Sequence, residues 1–216
     1  MLRRHFIAAA ALFAATGLLA AEKTSAPAAT ASGKTIIVLG DSLSAEYGLQ
    51  RGSGWVALLE QRLKTQKPGA MVVNASISGD TTAGGASRLP RLLAQYKPGV
   101  VVIELGANDA LRGLPLQQTE ANLDQMTKAA QQAGARVLLV GMQVPPNYGA
   151  DYSNRFAATF QHVAKARKTA LVPFLLKGIA DVPDSLKLFQ NDRIHPKEAA
   201  HPLMLDNVWA ELKKLV

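Results

Sequence analysis

Ser42 stands in the stretch Gly40-Asp41-Ser42-Leu43-Ser44, directly after the apolar run at 35–39. A serine hydroxyl attacks a carbonyl carbon only when a base takes its proton and a third group orients that base. The chain has four histidines, and three are poorly placed to serve as that base. His5 lies in an N-terminal apolar stretch, His162 among residues of helical pattern, and His201 at the expected N-cap of the last helix. His195 follows Asp192 in a loop that Pro196 keeps from becoming helical at that point. There the carboxylate can accept from one ring nitrogen while the other faces a ligand. Acyl transfer also needs N–H groups aimed at the developing oxyanion. Gly79 can bring its backbone N–H close because it lacks a side chain, Asn108 offers a side-chain amide, and the N–H of Ser42 completes the set.

Positioning these groups requires a scaffold. From Thr35 onward short β-branched runs alternate with amphipathic stretches, the pattern of βα units around a parallel sheet. Strands are expected at 35–39, 71–74, 100–105, 136–141 and 170–173. Between them Leu58, Leu59 and Leu63, then Leu89, Leu92 and Leu93, recur at helical spacing and give each segment one face for the sheet. Gly134 falls where a helix end needs a left-handed residue. Pro202 suits a first helical turn, and Leu205, Val208, Trp209 and Leu212 form the stripe of a last helix. The expectation is an α/β protein, a three-layer α/β/α sandwich on a five-stranded parallel sheet. Ligands of such sheets bind beyond the carboxyl ends of the strands. Ser42 follows the first strand, Gly79 the second, Asn108 the third, and the stretch "NDRIHP" the fifth, so four segments remote in sequence point at one edge.

The segments "GDSLS", "SISGDT", "GAND" and "DRIHP" resemble the four ordered blocks of the SGNH (GDSL) hydrolases, named for Ser, Gly, Asn and His. The resemblance runs from about Thr35 to the final helix. It is strongest to the bacterial periplasmic thioesterases I, arylesterases and lysophospholipases, to which "LGDSLSA", "VVNASISGDT", "RLP", "LRG", "QQTE" and "PNYG" are similar. It implies a flavodoxin-like SGNH hydrolase fold, with Ser42 as nucleophile, His195 as base, Asp192 as its partner, and Ser42, Gly79 and Asn108 as oxyanion donors. It further implies no cofactor, a monomer, and small-molecule acyl esters or thioesters as substrates. Loops at 78–85, 111–115 and 143–152 would then set acyl specificity. Two positions depart from the pattern: Ala107 stands where a second glycine is common, and Arg193 replaces a small residue between Asp192 and His195. Other readings are a carbohydrate O-acetyl esterase using the same residues, and a non-catalytic binding protein.

At the N-terminus Arg3 and Arg4 precede an apolar segment from 6 to about 21, the order of a secretory signal peptide. It is shorter than the ~20 strongly apolar residues of a membrane span. Residues 1–21 are therefore expected to be a signal peptide, 22–34 a small, polar, Pro-interrupted flexible linker, and 35–216 one hydrolase domain, secreted and in a bacterium periplasmic. The formal charge of +8 loses two units with Arg3 and Arg4. The basic residues are scattered without aromatic interleaving, which argues against a nucleic-acid partner and leaves room for a transient contact with anionic membrane lipid. The absence of cysteine excludes disulfides and lipidated thiols, and with no paired-histidine spacing it indicates no metal. Asp41 is expected to hold its loop by accepting backbone N–H bonds, and Asp109 to cap a helix. Asn74-Ala75-Ser76 matches a glycosylation acceptor by chance at a strand end.

Overall fold

The β-branched run at 35–39 forms the middle of β1 (Ser32–Gly40). β2 (Met71–Asn74), β3 (Pro98–Glu104), β4 (Arg136–Val140) and β5 (Ala170–Val172) complete one sheet. The computed structural model describes residues 32–216. The expected signal peptide and the first part of the expected linker lie outside the described residues, and residues 32–34 of that linker belong to β1.

All pairings are parallel, in the order β2-β1-β3-β4-β5. This is the flavodoxin-like order, in which the chain reverses its direction of winding between β1 and β3. Every residue of β3 is buried, as are Ile36, Ile37, Val38 and Leu39 of β1. Strands covered on both faces read as continuous apolar runs, which is why these two were visible in the sequence. Gly40 lies opposite Glu104, so β1 and β3 end together, and the loops that follow them start side by side at the reversal point.

Helices cover both faces. α1 (Trp55–Gln66) and α6 (His201–Leu212) pack on one; α2 (Thr82–Tyr96), α4 (Leu116–Gln132) and α5 (Ala150–Arg167) pack on the other. The short α3 (Ala107–Leu111) leads from β3 toward α4. The three-layer sandwich is thus present. Leu59, Leu63, Leu89 and Leu93 turn into the core, while Leu58 and Leu92 are half-buried at its border. Gly134 closes α4 with φ +86°, as its position required.

His201 differs from expectation. It is the first residue of α6 rather than a cap of that helix, and its Nδ1 accepts the N–H of Trp55 at 3.0 Å. Gly54, the N-cap of α1, has no side chain to do this, so an imidazole from the other end of the chain fills the role.

Candidate active site

Two structural devices form the turn that presents Ser42. The Asp41 carboxylate accepts the N–H of Leu43 at 3.0 Å, as expected for a loop-holding aspartate. The second device was not foreseen. Glu104, wholly buried at the end of β3, accepts the Ser44 hydroxyl at 2.7 Å, and the Trp55 indole N–H donates to the same hydroxyl at 3.1 Å. A Cβ at Gly40 would stand 2.8 Å from Ser44 and 2.9 Å from Glu104, so only glycine lets β1 end this close to the carboxyl. Burial, reinforced by the charge of Asp41, pushes the Glu104 carboxyl well above the usual range. Burial likewise pushes Asp41 up to about 6, against the opposing pull of the Leu43 N–H and His195. The only sign of this pair in the sequence was one acidic residue ending the run "VVVIE".

The loop carrying His195 closes by an antiparallel bridge between Phe189 and Pro196 and by a Gln190 N–H donated to the His195 carbonyl at 2.8 Å. Within it one carboxylate does two things. Asp192 Oδ1 accepts the N–H groups of Ile194 and His195 at 2.9 and 3.0 Å, which shapes the turn, and Oδ2 lies 2.7 Å from His195 Nδ1. Partial burial would raise this carboxyl, but those two N–H bonds and the imidazole outweigh it and hold Asp192 at about 2. The opposite ring nitrogen, Nε2, is 2.9 Å from Ser42 Oγ. The Tyr47 ring covers the imidazole with centroids 4.3 Å apart. Arg193, the departure from the family pattern, takes a left-handed backbone at φ +59° that a smaller residue adopts more readily.

Gly79 has φ +78°, and its carbonyl, in the peptide that follows it, accepts from Arg112 Nη2 at 2.7 Å. Asn108 lies in α3 facing the same crevice. Its amide is not idle: Nδ2 donates to the Asp80 carbonyl at 2.9 Å and to Asp41 Oδ2 at 3.1 Å. The structure thus brings Ser42, Gly79, Asn108 and His195 to one crevice, with Asp192 behind the imidazole. Asp109 caps a helix other than its own, since its buried carboxylate accepts the N–H and hydroxyl of Thr82 at the start of α2. Asn74, the apparent glycosylation acceptor, holds the Ser44 carbonyl at 2.8 Å. Among the described residues no group of three or more metal-ligating side chains converges.

The crevice encloses about 800 Å³ and is walled mainly by apolar groups. Ser78, Gly79, Leu111, Gln143, Val144 and Pro145 come from the three loops expected to contact substrate. Residues 82–85 do not; they form the first turn of α2. The opposite wall went unforeseen. Phe174, Leu176, Ala180, Leu186 and Phe189 come from the segment after β5, whose sequence has neither strand nor helix period. No helix of the described residues is long and apolar enough to cross a membrane.

Residues 38–203 match the GDSL-like Lipase/Acylhydrolase family. The chain is 52% identical to the esterase TesA of Pseudomonas aeruginosa, over 86% of its own length and 91% of the relative's. It is 40% identical to thioesterase 1/protease 1/lysophospholipase L1 of Escherichia coli, over 86% of each chain. It superposes on the crystal structure of the psychrotrophic esterase EstA from Pseudoalteromonas sp., inhibited by monoethylphosphonate, with a TM-score of 0.77 and 42% identity, covering 84% of this chain and 97% of that one. The shared blocks, fold and extent of these matches make the chain a member of the GDSL-like lipase/acylhydrolase family and a carboxylic ester hydrolase.

Proposed function

We propose that this ester hydrolase works through an acyl-enzyme on Ser42, with His195 as base and Asp192 as its orienting anion. The observation that carries this reading is the continuous chain from Asp192 Oδ2 through the imidazole to Ser42 Oγ, at 2.7 and 2.9 Å. Ser42 Oγ attacks the carbonyl carbon of an ester or thioester and its proton passes to His195 Nε2. Asp192, ionised because its carboxyl is held low, stabilises the resulting imidazolium and keeps Nδ1–H pointing at itself. The tetrahedral oxyanion rests on the N–H groups of Ser42 and Gly79 and on the Asn108 amide. The hydrogen bond that the Asn108 amide donates to the Asp80 carbonyl keeps Asn108 in place, and the longer contact to Asp41 is the one given up to the oxyanion. Collapse expels the alcohol or thiol, which takes the proton from His195. Water, deprotonated by the same nitrogen, then attacks the acyl carbon and frees Ser42 and a carboxylic acid.

An apolar crevice of about 800 Å³ suits acyl chains longer than acetyl, and the names of the P. aeruginosa and E. coli relatives are in line with esters, thioesters and lysophospholipids as substrates. The arginine-led apolar segment at residues 3–21 supports secretion, to the periplasm in a bacterium. The test is the hydrolysis of p-nitrophenyl esters from acetyl to palmitoyl and of the matching acyl-CoA thioesters, by wild type and Ser42→Ala side by side. The expected result is activity that the substitution abolishes and that extends well past acetyl. Turnover confined to acetyl groups would return the choice to a sugar O-acetyl esterase, and equal rates in both proteins would overturn the mechanism.

A further inference from the structure

Apart from Met71 and Leu203, every large apolar side chain exposed among the described residues stands on the segments that follow the strands at their carboxyl ends. Tyr47, Leu111, Leu186 and Ile194 are 41–57% exposed and line the mouth of the crevice. Ile77, Leu114 and Val182, at 53%, 37% and 37%, do not line it. They stand just outside, next in sequence to Ser78, close after Leu111, and next to Asp181, which do. A substrate molecule in the crevice covers the inner set and leaves the outer set in water. Single exposed apolar residues need no explanation, but their gathering on one edge marks a contact surface.

The charges of this edge say what kind. Arg112, Arg193 and Lys177 are exposed there, and none has a carboxylate in ion-pair distance among the described residues. The acidic groups nearby are mostly engaged: Asp80 with Arg88, Asp184 with Lys187, and Asp192 with His195. Asp181 accepts the Gly178 N–H. Exposed apolar side chains on the same edge as cations without carboxylate partners fit a surface that is apolar below and anionic at its face, which is an anionic phospholipid layer.

We infer that the carboxyl-end edge of the sheet docks on anionic phospholipid surfaces, Ile77, Leu114 and Val182 entering the acyl boundary while Arg112 and Arg193 meet phosphates. The crevice then opens directly onto the lipid, so single-chain acyl lipids enter it without crossing water; this last step rests on the hydrolase reading above, and the docking does not.

The test uses the full chain and cosedimentation with vesicles of phosphatidylcholine containing about 30 mol% phosphatidylglycerol, against phosphatidylcholine alone. The wild type is expected to bind the anionic vesicles and to be released as salt rises from about 0.1 to 1 M, where screening shortens to about 3 Å. The double variant Ile77→Asp, Val182→Asp is expected to bind at least about tenfold more weakly, while its rate on soluble p-nitrophenyl butyrate stays within about twofold of wild type. The conservative double Ile77→Leu, Val182→Ile should keep vesicle binding. Docking is overturned by a wild type that ignores anionic vesicles, by equal binding to both vesicle types, or by undiminished binding of the aspartate variant. A wild-type dimer that the aspartate variant converts to monomer in light scattering would assign the face to a second copy instead. A wild type that binds no anionic vesicles while its Ser42-dependent hydrolysis is intact counts against docking alone; absence of any esterase activity counts against the hydrolase mechanism, and the vesicle assay still decides docking.

Discussion

His201 Nδ1 accepts the backbone N–H of Trp55 at 3.0 Å, joining the first residue of α6 to the first residue of α1. Only a neutral imidazole can accept at that nitrogen, and burial pushes the His201 pKa below its ordinary 6.5. Because the unfolded chain binds the proton more tightly, this contribution to stability is fully present above pH 6.5 and is lost as pH falls through the lower folded value. Urea unfolding of wild type and His201→Asn, whose amide oxygen can still accept, should show wild type losing more stability between pH 7.5 and pH 5 (about neutral to mildly acidic). Parallel slopes in the two proteins would remove His201 from the pH response. Asp41, raised by burial to about 6, acts with the opposite sign, since its folded carboxyl holds its proton where the unfolded one has released it. It does so equally in both proteins.

Ser42→Ala and His195→Ala are each expected to lower kcat by about 10⁶, and the double variant should lose little more, because the two act as a unit. Asp192→Asn should cost about 10⁴ by removing the anion that orients the ring. Steady-state rates on p-nitrophenyl butyrate read all four, and additive losses would contradict a shared proton relay.

Asn108→Ala should lower kcat by about 10²–10³ with KM little changed, the loss of one oxyanion donor. An unchanged kcat would show that the Asn108 amide stays with Asp41 and Asp80 throughout turnover.

Asp109 accepts from the Thr82 N–H, from its hydroxyl and from Thr119, all buried. Asp109→Ala strands these donors, and a loss of about 2–4 kcal/mol in unfolding free energy is expected. Denaturant titration checks it, and a loss under about 0.5 kcal/mol, the range of ordinary surface changes, would mean that water replaces the carboxylate.

Ala180 lies in the wall contributed by the segment after β5. Ala180→Phe should reduce kcat/KM for decanoyl and longer esters by about tenfold or more, while acetyl and butyryl esters change by less than about threefold, as expected when about 1–3 kcal/mol of apolar contact is blocked. A uniform loss across chain lengths would place the acyl group elsewhere.

What was legible from the residues follows from how local the signals were. The strands at 35–39 and 100–105 were readable because a strand buried on both faces must be apolar at every position, and the leucine spacings of α1 and α2 because a helix on a sheet buries one stripe. His195 and Asp192 could be paired because they stand three residues apart in one turn, and Ser42, Gly79 and Asn108 because each follows a strand of the same parallel sheet. Tertiary structure alone decided whatever depends on two distant segments arriving together. Glu104 behind the serine loop, the imidazole of His201 on α1, the Asp109 carboxylate on α2 and the crevice wall from Phe174 to Phe189 have no sequence period or local partner to announce them. A buried polar group needs its partner somewhere in the fold, and sequence cannot say where. The residues proposed to do the chemistry could be read from where the chain turns. Whether Asn108 holds a spare proton, and how deep the crevice runs, depended on what the rest of the chain packs against them.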